Sequence, residues 1–136
     1  LEHSFTRLAD FSNPPRLVSC KDPLEEEGFR SGVFHLDDTS VVFAASDALS
    51  HYCLMMYELS KSAEFESELM EVRMKQTTNL QLLQMAEKEH FDFNEDVLMP
   101  LLRSADSEDS FKDLLESLYA KKLIDIDDYT LAILYA

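Results

Sequence analysis

The feature that most constrains the fold is a long stretch that is almost free of helix-breaking residues. Residues 48–122 contain no glycine and one proline, Pro100. The chain of 136 residues has only 2 glycines, whereas average usage of about 7% would give roughly nine or ten. Because glycine and proline are the least favourable residues inside a helix, this stretch favours helices joined by short polar turns.

Apolar residues within the stretch recur at helical spacing. The clearest stripe follows the pattern i, i+3, i+4, i+7 and consists of Phe111, Leu114, Leu115 and Leu118. Asp109 or Ser110 is the N-cap that we predict for this helix. In all, we expect four or five helices, and we expect the methionines on their stripes, including Met70 and Met74, to fill gaps in the core.

Both ends of the chain carry strand patterns. The turn signal at 13–15 predicts a short strand over 16–20, and residues 33–36 and 41–45 predict a β-hairpin around a turn at 37–40. The second of these strands is apolar on both faces, which is typical of a central strand covered on both sides. The last apolar run, 130–135, predicts a strand that must pair non-locally or with an absent partner.

The chain therefore divides into three parts of one domain or fragment. Residues 1–46 form the strand and hairpin part, 47–122 the helical part, and 123–136 contain the final strand. Strands, then helices, then a strand predict an α+β fold in which antiparallel strands pack against a helical layer.

The charge balance excludes several partners. The chain has 27 acidic and 12 basic residues and a formal net charge of -15, so it repels nucleic acid and anionic membrane surfaces. No apolar run reaches the roughly 18 residues of a membrane span, and the first residues do not resemble a signal peptide. Cys20 and Cys53 fit neither a metal pair nor a disulfide framework. We therefore expect a cytoplasmic protein with reduced thiols.

Acidic residues flank two of the predicted strands. Asp47 follows the strand over 41–45, and Asp127 and Asp128 precede the last strand. Carboxylates held at the ends of rigid strands suit Mg²⁺ or Mn²⁺, which prefer oxygen ligands and keep several waters. The alternatives are that Asp47 caps a helix beginning at Ala48, and that Asp127 and Asp128 form an ordinary turn.

Two short motifs in this order resemble a known family. Residues 46–49 are Ser-Asp-Ala-Leu after an apolar strand, and residues 127–130 are Asp-Asp-Tyr-Thr before one. Together they resemble the C-terminal half of metal-dependent protein phosphatases of the type 2C superfamily. The similarity extends to a bacterial subgroup of that superfamily that carries Asp-Ala-Leu in place of Asp-Gly-Leu, with an Asn-Pro segment and a short strand upstream.

The resemblance implies a partial type 2C phosphatase-like β-sandwich and a metal-dependent hydrolase that acts on phosphoserine and phosphothreonine in proteins. It implies that Asp47 and Asp127 are ligands of Mg²⁺ or Mn²⁺, and Asp128 stands where the family has Asn or Asp. The family's Asp-Gly-x-Gly-Gly motif is not in the chain. The resemblance therefore implies an inactive portion, whose site and metal need the N-terminal half of the same fold or a second copy.

Two further interpretations remain open. One is a non-catalytic, acidic helical interaction domain that docks on a basic partner, with the aspartates at the strand ends idle. The other concerns His51, which follows Asp47 by one helical turn, so that the two could share a metal ion. An isolated pair with this spacing is more often solvated or capping, and that is what we expect for it.

Overall fold

The computed structural model describes residues 7–13 and 32–135, which contain five α-helices and two strands. A short 3₁₀-helix, Leu8–Ser12, comes first, and a π-helical turn, Phe93–Leu98, runs directly into the fourth helix. The other elements, in chain order, are β1 (Val41–Ala45), α1 (Asp47–Ser60), α2 (Glu66–Met74), α3 (Thr78–Ala86), α4 (Met99–Ser104), α5 (Glu108–Ala120) and β2 (Leu131–Tyr135). The expected helix number and the mixture of helices with an antiparallel sheet are confirmed, while the strand predicted over 16–20 lies outside the described residues.

The two strands pair with each other across the length of the chain. β1 and β2 are antiparallel, in a register that runs from Val41 opposite Tyr135 to Ala45 opposite Leu131. The expectation that the last strand pairs non-locally is therefore confirmed. The final strand is shorter than the 123–136 segment, because residues 123–130 precede it without strand structure.

The predicted hairpin is wrong. The turn at its centre is present, since the Ser40 amide donates to the Asp37 carbonyl over 2.9 Å, but residues 33–36 form no strand and are exposed. β1 pairs with β2 instead, and this register places Phe43, Ala45 and Leu131 against the core. The register of a strand is set by the pairing that buries the apolar side chains of one face. Here β2 provides that pairing for β1, and residues 33–36, which are nearer in sequence, do not.

Among the described residues, β1 is also not a central strand covered on both faces. In the described part of the chain its sheet has two strands, and β1 is half-buried rather than buried. Ala44 is exposed, whereas its neighbours Phe43 and Ala45 pack on the helices. The sheet thus lies as a thin layer on the helical part, with one face inward.

The core is built around α1. Leu49, Met55 and Met56 are at most 2% exposed, because α1 contacts the 3₁₀-helix, α3 and the π-helical turn. The prediction that methionines fill the core holds for Met55 and Met56, but Met70 and Met74 on α2 are exposed. Among the described residues, no helix combines the length and apolar character needed to cross a bilayer.

α5 begins earlier than its sequence suggests. Its N-cap is Ser107, whose Oγ accepts a hydrogen bond from the Ser110 amide over 3.1 Å. The prediction of Asp109 or Ser110 as the cap is therefore wrong. An N-cap hydroxyl accepts a hydrogen bond from the free backbone amide three residues later. Ser107 stands at that spacing from the Ser110 amide.

α5 ends in a tight reversal that directs the chain toward the sheet. Lys122 adopts a left-handed conformation with φ of 58°. The Lys122 amide donates to the Tyr119 carbonyl over 2.9 Å, and the Leu123 amide donates to the Leu118 carbonyl over 3.0 Å. This is the Schellman pattern, and its characteristic apolar contact is available because Leu118 and Leu123 are both buried. The reversal leads residues 123–130 back along α1 to β2.

Candidate functional site

The pairing of the strands extends one residue beyond β1. The Ser46 amide donates to the Thr130 carbonyl over 3.0 Å, and the Thr130 amide donates to Ser46 Oγ over 3.3 Å. Continued by one more residue, this register sets Asp47 opposite Tyr129. As a result Asp47 and Asp127, which lie far apart in the sequence, line the same cleft.

The cleft has a volume of about 220 Å³ and lies between the sheet end, α1 and α3. Its ionised lining residues are all acidic, and in the part of the chain that the structure describes no lysine or arginine lines it. The lining consists of Phe11, Asp47, Ala48, His51, Thr78, Asn79, Leu82, Leu123, Ile124, Asp125, Ile126, Asp127 and Tyr129. Such a lining attracts cations and repels anions.

The pKa of Tyr129 is affected by the negative charges of the cleft. Its pKa is raised to about 12, first by burial of the phenol and then by the negative charges of Asp127, Asp125 and Asp47. The Tyr129 hydroxyl donates to the Asp125 carbonyl over 2.5 Å, which holds the ring beside the carboxylates. All three carboxylates therefore lie close enough to influence one half-buried phenol.

Asp47 and Asp127 are held in the same way. Asp47 Oδ1 accepts from the Ala48 amide over 3.0 Å, and Asp127 Oδ1 accepts from the Asp128 amide over 2.7 Å. Across residues 7–13 and 32–135, neither carboxylate forms an ion pair with a lysine or arginine. Each carboxylate is oriented by a backbone amide, and both residues are exposed to solvent.

Asp47 does not cap α1. The N-cap is Ser46, and Asp47 is the first residue of the helix, where a negative charge is favoured by the helix dipole. Ala48 lies in ordinary helical conformation. In the described residues the one non-glycine residue with positive φ is Lys122. The backbone at Ala48 therefore has no need of a glycine.

The predicted metal residues are brought together only in part. Asp47 and Asp127 share the cleft, whereas Asp128 follows Asp127 without lining it. Within the described ranges, no three histidine, cysteine, aspartate or glutamate side chains are gathered closely enough to hold a metal ion. The carboxylate donors suit Mg²⁺ or Mn²⁺, and the structure supplies two of them, so a complete ligand set would need further groups. The metal site remains a prediction.

His51 is the cleft residue whose burial the sequence did not predict. Its side chain is buried at 5% exposure, so the expectation of a solvated or capping residue is wrong. Nε2 has no hydrogen-bond partner among the described residues, and the ring meets Phe11 edge-on with centroids 5.3 Å apart. Burial lowers the His51 pKa to about 4, which keeps the imidazole neutral near pH 7. The signal in the sequence was its spacing of one helical turn from Asp47.

Comparison of the chain with protein-family models, with curated proteins and with solved structures gives no match. The function is therefore argued from the motifs and from the geometry of the cleft.

Proposed function

We propose that this chain is the C-terminal portion of a metal-dependent phosphoserine and phosphothreonine protein phosphatase. In this proposal Asp47 and Asp127 are ligands of a Mg²⁺ or Mn²⁺ ion. The observation that carries it is the strand pairing that brings these two aspartates into one cleft. They are the metal-binding positions of the two motifs that resemble the type 2C superfamily, and they come from distant parts of the sequence.

The surroundings of the carboxylates suit this role. Asp47 follows a strand and begins a helix, so its backbone is fixed on both sides. Asp127 is oriented by the Asp128 amide, which gives Asp128 a positioning role. A bound divalent ion supplies an activated water nucleophile and a positive charge for the phosphate oxygens. Without it, three carboxylates around the cleft repel a phosphoester, so substrate binding depends on the cation.

The chain supplies a portion of the site and of the sheet. The described residues form a two-stranded sheet, which is marginal by itself, and strand edges without a partner are open to pairing. We assign the remaining strands of a type 2C-like β-sandwich, and the remaining metal ligands, to the N-terminal half of the same fold or to a second copy. On this basis the chain alone is inactive.

Calorimetry with Mn²⁺ tests the proposal. We expect weak or undetectable binding by the chain alone, and clear binding after the N-terminal half is supplied. In that assembly Asp47→Ala and Asp127→Ala should abolish binding, whereas Asp113→Ala, which removes an exposed carboxylate on α5, should not. Unchanged Mn²⁺ binding in the two cleft variants would contradict the proposal.

The second candidate is a non-catalytic, acidic interaction domain, and the exposed face of α2 favours it. Met74 is 80% exposed and Met70 is 47% exposed. In the first turn of the same helix Glu66 is exposed and Glu68 is half-buried. Exposed methionines beside acidic residues suit a basic, partly apolar partner. A phosphatase assay on the assembled protein separates the candidates. Mn²⁺-dependent hydrolysis of a generic phosphoester that is lost in Asp47→Ala supports the phosphatase, and no hydrolysis supports the interaction domain.

A further inference from the structure

We infer that Ser46 is a positioning residue of the proposed metal site, and that its hydroxyl fixes the separation between the carboxylates of Asp47 and Asp127. The inference rests on the proposed function and deepens it, because it names the group that couples the two ligands. It starts from the three hydrogen bonds that Ser46 forms with its surroundings and from the place of these bonds in the chain.

The Ser46 hydroxyl is used differently from that of a usual helix cap. Ser46 is the N-cap of α1, a position at which a serine oxygen commonly accepts a hydrogen bond from an amide of the first turn. It forms no such bond, and its Oγ accepts from the Thr130 amide over 3.3 Å instead. The partner lies 84 positions away in the sequence. The hydroxyl therefore contributes to a tertiary contact and not to the local start of the helix.

The backbone of Ser46 ties the same residue to two neighbouring elements. Its amide donates to the Thr130 carbonyl over 3.0 Å, and its carbonyl accepts from the Ser50 amide over 2.9 Å. The first bond acts together with the hydroxyl bond, and two bonds to one residue fix its orientation as well as its distance. The second bond belongs to the first turn of α1. Ser46 thus joins α1 to the segment that precedes β2.

The contact between Ser46 and Thr130 lies beside both carboxylates. The two strands end at this point, and beyond it the described residues provide no further backbone hydrogen bond between the two segments. Asp47 is the next residue after Ser46, and Asp127 lies three residues before Thr130. Both carboxylates are exposed, so packing does not hold their side chains. Their separation therefore depends on the contact beside them.

A metal ion is sensitive to that separation. Mg²⁺ requires a nearly ideal octahedral arrangement of oxygen ligands at about 2.0–2.1 Å, and two carboxylates can both bind it only if their separation matches this geometry. Groups that orient the ligands without touching the metal matter for this reason, and their loss typically costs roughly 10–100-fold in metal affinity. The Ser46 hydroxyl acts on the metal in this way, through the positions of Asp47 and Asp127.

Mn²⁺ calorimetry on the assembly with the N-terminal half tests the inference, together with hydrogen exchange of the Thr130 amide in the full chain alone. In Ser46→Ala we expect faster exchange of that amide and a fall of roughly tenfold or more in Mn²⁺ affinity. Ser46→Thr, which keeps a hydroxyl, should retain both values. Ser107→Ala is the matched control, because it removes a serine oxygen that accepts from a backbone amide away from the cleft. It should lower stability and leave both values unchanged.

Three results would overturn the inference. If Ser46→Ala folds, as judged by circular dichroism, and its assembly binds Mn²⁺ as before, the hydroxyl does not position the ligands, and the proposed metal site stands. If Ser46→Thr loses as much affinity as Ser46→Ala, the hydroxyl is not the group responsible. If the unmodified assembly binds no Mn²⁺, the proposed function fails and the inference fails with it. Should Ser46→Ala not fold, the unmodified chain decides: exchange of the Thr130 amide at the rate of an unbonded amide would overturn the inference, and slower exchange would support it.

Discussion

Ser46 and Thr130 join the two halves of the candidate site through a reciprocal pair of hydrogen bonds. The Ser46 amide donates to the Thr130 carbonyl, and the Thr130 amide donates to the Ser46 hydroxyl. Ser46 is the N-cap of α1, yet its side chain forms no capping bond. The Ser46 hydroxyl thus bonds to the segment before β2 instead of capping α1. Because Asp47 is the next residue, this bond fixes its position relative to that segment.

Replacement of Ser46 should loosen this link. Ser46→Ala removes the acceptor of the Thr130 amide, and we expect the free energy of unfolding to fall by about 1 kcal/mol. Urea unfolding measures the change. Ser117→Ala, which shortens an exposed serine on α5, is the matched control and should stay within about 0.5 kcal/mol of the unmodified chain. Equal effects of the two substitutions would show that the Ser46 hydroxyl does not hold the strand ends together.

Glu58 should make stability depend on pH. It is 2% exposed, and its Oε2 lacks a hydrogen-bond partner in the described residues. Its pKa is raised from 4.5 to about 7, first by burial and then by the negative charge of Glu68. The folded chain therefore holds this proton more tightly than the unfolded chain does. Below pH 4.5 the carboxyl is protonated in both states, and Glu58 does not lower the free energy of unfolding. That free energy falls as the pH rises from 4.5 toward 7, and above about pH 7 the full cost of burying the charged carboxylate is present.

Glu58→Gln removes this ionisation while keeping the size of the side chain. We expect it to raise the free energy of unfolding by about 1–3 kcal/mol near pH 8 and to change it little near pH 4. Denaturant unfolding at both pH values is the measurement. Glu64→Gln removes an exposed carboxylate and should show no such pH-dependent gain. A gain from Glu58→Gln that is the same at both pH values would contradict a buried, ionising carboxyl.

Lys122 occupies a position that suits glycine. Its φ of 58° costs a residue with a side chain about 1–2 kcal/mol, so Lys122→Gly should raise stability by about 1 kcal/mol. Lys121→Gly should have the opposite effect, because Lys121 is in right-handed conformation, where glycine adds flexibility. The substitution also removes the ion pair of Lys121 with Glu89. Thermal unfolding of both variants checks the signs. Destabilisation by both substitutions would mean that Lys122 contributes more through its side chain than its backbone conformation costs.

Tyr129 should titrate later than an exposed tyrosine. With a pKa raised to about 12 by burial and by nearby carboxylates, it should contribute to the ultraviolet titration only at the alkaline end. Tyr129→Phe should reduce that late step but not abolish it, because burial also raises the pKa of Tyr52. Tyr119→Phe, at an exposed position, should leave the step in place. Asp127→Asn removes one of the negative charges and should lower the Tyr129 pKa. An unchanged titration in Asp127→Asn would place Asp127 too far from the phenol to share the cleft.

Local chemistry made much of the architecture predictable. A stretch without glycine and with apolar residues at helical spacing forms helices wherever it lies, as α1, α3 and α5 show. The turn around Asp37 could also be read from sequence, because a short polar side chain bonds the backbone two residues on. The motif residues Asp47 and Asp127 were identified by the same kind of local pattern, since each stands beside an apolar strand.

Which elements pack or pair with one another could not be predicted in this way. It depends on which distant segment buries more apolar surface, and a local sequence pattern carries no information on that. Residues 33–36 and 131–135 both have strand patterns, and β1 pairs with the second because that register places Phe43 and Leu131 on the core. Burial of His51 and Glu58 likewise depends on what packs over α1. By itself, then, the sequence determined the helices, the two strands and the candidate acidic ligands. Only the tertiary structure decided that Asp47 and Asp127 line one cleft with His51, because long-range pairing and packing set that arrangement.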